Sequence, residues 1–249
     1  MLDPKPKEFN KIDPSERQKI EKSLSLRMDL VKINSGIHNV VTRELGSILE
    51  YFGVKESSEM HISFEPIEGE DVGYLFLNKT TYFNIEKFYK TFLNERFQEN
   101  HNLILTYILA HEFGHHFLNL LGLKGSKNKM SGPEEEDFCD YFSGIVFAIL
   151  KRIDPNGHNG LDDLSELKFR NILEFIHLIS ANVIKENGKG LNGKVKIVAN
   201  QRSEGGHGDT STRWKKFMIG VHEAETDKDL TNLNDLLRFF LERNQLFDE

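Results

Sequence analysis

The chain has 249 residues, enough for one ordinary domain with a substantial core, and 38% hydrophobic against 29% charged residues marks a globular rather than a disordered protein. A formal net charge of −7 disfavours nonspecific nucleic-acid binding, so no nucleic-acid partner is expected. A single cysteine, Cys139, excludes an internal disulfide and suits a reducing compartment.

The start, Met1 to Glu8, has no apolar signal core, and no run approaches the ~18 apolar residues needed to span a bilayer. The expectation is a chain made without a membrane span. The cytoplasm is its expected location, or an extracytoplasmic site if a leader has been trimmed away. Asp13-Pro14-Ser15-Glu16 reads as an N-cap, a first-turn proline and a capping-box glutamate, opening a helix to about Lys32. A second helix is expected from Gly36 to Phe52, ended near Gly53. Residues 1–55 thus form an N-terminal helical extension packed on the core, followed by a main domain over 56–249, or the two make one domain overall.

His61 to Ile67 and Val72 to Asn78 are strand-like segments separated by an acidic, glycine-containing turn. The second is a candidate for a sheet edge that holds an extended substrate backbone, although its aromatics suit plain core packing equally. Asn84 caps a helix to about Phe97, and a further helix starts near Asn102. Later helices are expected over about 161–187, 210–223 and 227–246, with a short strand at Val195 to Ala199. The fold class is α+β and predominantly helical, with a small sheet.

The helix from Asn102 carries His111-Glu112-Phe113-Gly114-His115 inside an apolar run. A helix turns about 100° per residue, so positions i and i+4 share a face about 6 Å apart along the axis. Two imidazoles so placed can bind one zinc ion, with Glu112 toward the open side where a water sits. Zinc hydrolysis needs three protein ligands and an open position, so a third ligand must come from another element. After a Gly/Lys-rich break, Pro133 opens a helix whose acidic first turn complements the helix dipole. Within it Glu136 and Asp140 are again i and i+4. Glu136 then serves as the third ligand, and Asp140 accepts a hydrogen bond from the outer nitrogen of a ligand histidine. Glu135 is the rival ligand, but its i+4 residue is Cys139, which offers no supporting carboxylate. Cys139 itself reads as a small core residue.

With those residues the chain resembles the bacterial neutral zinc metallopeptidase family, a gluzincin group. Its blocks are H-E-x-G-H-H, E-x-x-A-D-C-x-A-G and a late H-G-x-S-x-x-R. Here they correspond to His111–His116, to Glu136–Gly144 with Cys139 and Ser143 where the family has alanine, and to His207–Arg213, followed by Phe217 and Gly220 at similar spacing. The late block is similar also to a segment of the CAAX-type membrane proteases. The match covers roughly residues 100 to 222, with a looser echo over 61–78. The resemblance implies a zincin-like fold with the small sheet beside the His-Glu helix. It implies His207 at the active site, helping to stabilise the oxyanion, and Arg213 as a supporting cation. The family's N-terminal membrane segment and additional cysteines do not appear here, a departure that bears on location more than on chemistry.

Two functions stand. One is a zinc endopeptidase acting on a peptide or protein substrate: one Zn²⁺ held by His111, His115 and Glu136 activates a water, Glu112 is the general base, and His207 stabilises the oxyanion. The other is a non-catalytic zinc-binding sensor or regulatory module that retains the protease fold. Three decoys are set aside. Gly188 to Val195 resembles a phosphate loop, but Val195 stands where a Ser or Thr would bind magnesium. Asp154 to Gly160 hints at a calcium loop whose twelfth position is Ser165 rather than an acid. Asn78-Lys79-Thr80 is a glycosylation sequon only in a secreted eukaryotic chain.

Overall fold

A computed structural model describes residues 13–45, 59–65, 72–75, 78–85, 101–120, 132–153, 168–169, 172 and 210–226. Among these the protein is mostly helical, with a small mixed sheet. The expected helices over 227–246 and to Phe97, the strand at 195–199, both decoy loops and His207 lie outside the described residues, as does most of the expected helix over 161–187.

Helix α1, Pro14–Val40, begins as its sequence dictates: the Asp13 side chain accepts from Ser15 N at 2.8 Å, and Pro14 sits in the first turn. It does not stop at Lys32. It runs through Gly36 into a π-helical turn, Val41–Leu45, so as far as residue 45 the two helices expected on either side of residues 33–35 are one; the expected stretch from 46 to 53 lies outside the described residues. Mid-helix glycine costs about 1 kcal/mol relative to alanine. Burial of Leu30, Ile37, Val40 and Val41 against the core outweighs it, at roughly 1.5–3 kcal/mol per fully buried aliphatic side chain. These residues share one apolar cluster with the helices downstream.

Strands β1 (His61–Ser63) and β2 (Val72–Leu75) fall within the two expected segments but are shorter. A third strand, β3 (Thr80–Phe83), lies between them and was not expected from the sequence. It pairs parallel with β1 (Ile62 opposite Thr81) and antiparallel with β2 (Tyr74 opposite Thr81). Lys79 enters β3 with φ 54°, a left-handed residue that reverses the chain, and its carbonyl accepts from His61 N. Among the described residues β1 and β2 are therefore the two sheet edges, and β2 lies against the next helix.

That helix, α2 (His101–Leu120), is buried on every side from Leu103 to Leu118 apart from Glu112, as expected of a central helix that other layers cover. Helix α3 (Gly132–Ile153) packs beside it and begins with Pro133, Glu134 and Glu135, favourable at the positive end of the dipole. Helix α4 (Thr210–Thr226) crosses α3 at very close range. A Cβ on Gly144 would stand 2.0 Å from the Phe217 carbonyl oxygen, and one on Gly220 would stand 2.0 Å from that of Tyr141. Only glycine fits on either side. Around the crossing, Phe217 packs on Phe169 (centroids 4.8 Å) and Phe147 (5.2 Å), and Phe169 meets Tyr107 of α2 edge-on at 5.2 Å. Aromatic burial of this kind is the main adhesive between α2, α3 and α4. No helix among the described residues is long and apolar enough to cross a membrane.

Candidate metal centre

The i,i+4 spacing sets His111 and His115 side by side on α2, with ring centroids 5.1 Å apart and planes nearly perpendicular. Both residues are buried where α3 covers that face. From α3, Glu136 points its carboxylate at both rings: Oε2 lies 3.0 Å from His111 Nε2, and Oε1 lies 3.6 Å from His115 Nε2. In a tetrahedral zinc site with bonds of about 2.0–2.1 Å, donor atoms stand roughly 3.3 Å from one another. Glu136 thus lies within this range of both imidazoles, through a different oxygen to each.

Each outer nitrogen is held by a carboxylate. His111 Nδ1 lies 3.1 Å from Asp140 Oδ1, and His115 Nδ1 lies 2.7 Å from Glu135 Oε1. With a proton kept on each Nδ1, a metal would meet the Nε2 atoms on the side that Glu136 faces. Asp140 is buried at the junction of three helices. Its Oδ2 accepts from Arg213 Nε at 2.7 Å and its Oδ1 from Arg213 Nη2 at 2.8 Å, while Tyr107 Oη also donates to Oδ1. Arg213 Nη2 is in addition 2.7 Å from the Tyr107 hydroxyl. Burial works against charge at Asp140, but Arg213 and His111 overcome it and hold the carboxyl well below the usual range. Burial likewise opposes a charged His111, yet its bonds to Asp140 and Glu136 prevail and push its pKa up to about 10. The ion-free centre is a cation wrapped in carboxylates, the charge pattern a metal dication would replace.

A second donor set overlaps the first. His111, His115 and Cys139 form a buried group whose ligand atoms all lie within 4.8 Å of one another, and which can hold a metal ion. The Cys139 thiol packs against α2 at Gly114, where a Cβ would stand 3.0 Å from Sγ. Burial, then the carboxylates of Glu136, Glu135, Asp140 and Glu112, raise its pKa well above the ordinary thiol value, so it sits there as a neutral group. Glu112 is half-buried, the one residue from Leu103 to Leu118 of α2 that is not fully enclosed.

His111, His115, Glu136, Asp140 and Arg213 therefore come together, with Glu112 one residue from the first imidazole. His207 lies outside the described residues. Sequence reasoning missed three neighbours of the centre: Tyr107, Glu135 in its hydrogen-bonding place, and Cys139 beside the imidazoles. Tyr107 did carry a signal, since it stands one helical turn before His111 on the same face. No family model, no curated protein and no solved structure matches this chain.

Proposed function

We propose that this chain is a zinc-dependent peptidase, with His111, His115 and Glu136 as the metal-binding residues. One observation carries the reading: a single carboxylate faces the Nε2 atoms of two imidazoles whose outer nitrogens are both occupied. The set is two histidines and a carboxylate, which leaves a tetrahedral ion one open position, as hydrolytic zinc sites require. A divalent ion held there supplies Lewis acidity and lowers the pKa of water toward about 7. Glu112 takes the proton of the attacking water and passes it to the leaving amine, the step that general bases accelerate by roughly 10²–10⁴-fold. Asp140, anchored by Arg213, keeps the His111 proton on Nδ1, so that Nε2 is the nitrogen a metal would meet. His207 is assigned the oxyanion on resemblance alone. Among the described residues β2 is a sheet edge that lies against α2, a place where an extended peptide could add as a further strand.

A second reading, a non-catalytic metal-binding module, draws on Cys139. Were its thiolate to join the two imidazoles and Glu136, four protein donors would close the site. Glu112→Gln and cobalt substitution separate the two. The peptidase reading expects Glu112→Gln to retain one metal ion per chain while cleavage of a peptide library falls at least about 100-fold. It also expects the cobalt form to lack the intense near-ultraviolet absorption of a thiolate ligand. Full cleavage by Glu112→Gln would sink the mechanism, and a cobalt–thiolate band would favour the closed site.

A further inference from the structure

Tyr107 is buried on α2, one turn before His111, and plays no part in the ligand set. We propose that it is a positioning residue of the metal centre, acting on His111 through Asp140. The inference rests on the metal-binding reading above and extends it to a side chain that ligates nothing.

Two hydrogen bonds and two ring contacts define its role. The Tyr107 hydroxyl donates to Asp140 Oδ1, the same oxygen that faces His111 Nδ1 at 3.1 Å. It accepts from Arg213 Nη2 at 2.7 Å, so the hydroxyl is held as donor and as acceptor at once. The ring behind it is fixed by an edge-on contact with Phe169 at 5.2 Å and a tilted one with Phe217 at 6.1 Å. A hydroxyl on a locked ring cannot swing away, so it fixes the rotation of the Asp140 carboxylate. That rotation sets the hydrogen bond to His111 Nδ1 and, through the rigid ring, the aim of Nε2 at Glu136. Burial foremost keeps the phenol protonated far above its ordinary pKa, so Tyr107 is a permanent donor.

A tyrosine that merely filled the core would act through its ring. Phenylalanine keeps the ring and removes only the hydroxyl, so Tyr107→Phe isolates the proposed role. The measurement is the dissociation constant of the full chain for Co²⁺ and Zn²⁺, by competition with a chromophoric chelator, with melting temperature followed in parallel. Tyr107→Phe is expected to weaken both ions about tenfold, the lower end of what loss of such outer partners costs. In an Asp140→Asn background the same change is expected to alter affinity less than about twofold, because its route to the ion is already cut. Tyr107→Met serves as a second variant should phenylalanine fail to fold. Wild-type affinity in Tyr107→Phe, or an equal loss with and without Asp140, would overturn the role of Tyr107 and leave the metal centre standing. A wild-type chain that binds neither ion would remove the centre itself, and the inference with it.

Discussion

Arg213 meets Asp140 in a two-pronged, buried contact: Nε to Oδ2 at 2.7 Å and Nη2 to Oδ1 at 2.8 Å. Both side chains are almost entirely inaccessible, at 7% and 1% exposure. Such a pair adds little net stability over a well-packed apolar pair, but breaking it strands a buried charge. Arg213→Met is therefore expected to destabilise the protein by about 3–5 kcal/mol in denaturant unfolding. Among the described residues it leaves Asp140 facing His111 and Tyr107, so the imidazole holds its proton more tightly and metal affinity falls as well. A variant that unfolds at the wild-type denaturant midpoint would show that Arg213 does not hold this junction.

Gly220 tests how α4 is seated. Its missing side chain admits the Tyr141 carbonyl oxygen to 2.0 Å of where a Cβ would be, and a backbone atom inside a helix cannot step aside. Gly220→Ala is expected to push α4 off α3 at a cost at or above the upper end of about 1–3 kcal/mol. The displacement also draws Arg213, two turns earlier on the same helix, away from Asp140. Loss of melting temperature together with weaker Zn²⁺ binding is the expected pair of results. Wild-type values for both would mean that the two helices can slide apart without consequence.

These two positions show what a linear sequence does and does not disclose. The shared faces of His111 with His115, and of Glu136 with Asp140, are local properties of a helix and can be read from spacing alone. Which carboxylate meets which imidazole depends on how α2 and α3 cross, and there Glu135 takes the outer nitrogen of His115. Arg213 reaches Asp140 only because Gly144 and Gly220 let α3 and α4 touch at their backbones, a tertiary fact with no local trace. The third strand was hidden for a related reason. Thr80-Thr81-Tyr82-Phe83 is brief and lies between a turn and a capping asparagine, and it is held from both sides, by β2 just before it and by β1 about 19 residues earlier. Gly36 misled in the other direction. A glycine that looks like a helix boundary is carried through by the apolar stripe that resumes at Ile37.

The charge state of His111 makes metal binding depend on pH. Its pKa of about 10 in the folded, ion-free protein lies above the ordinary 6.5, so its contacts contribute stability that is fully present below about 6.5 and lost as pH rises through 10. A metal at Nε2 requires that nitrogen deprotonated, while Nδ1 keeps its proton for Asp140. Binding at pH 8 must then expel about one proton, and affinity should climb roughly tenfold per pH unit between 7 and 9. Calorimetry in buffers of different ionisation enthalpy counts the proton, and chelator competition across that range gives the slope. Asp140→Asn removes the carboxylate that raises His111, so its slope should be shallower even though its affinity is lower. A wild-type affinity that is flat from pH 7 to 9 would place the ion on donors other than His111.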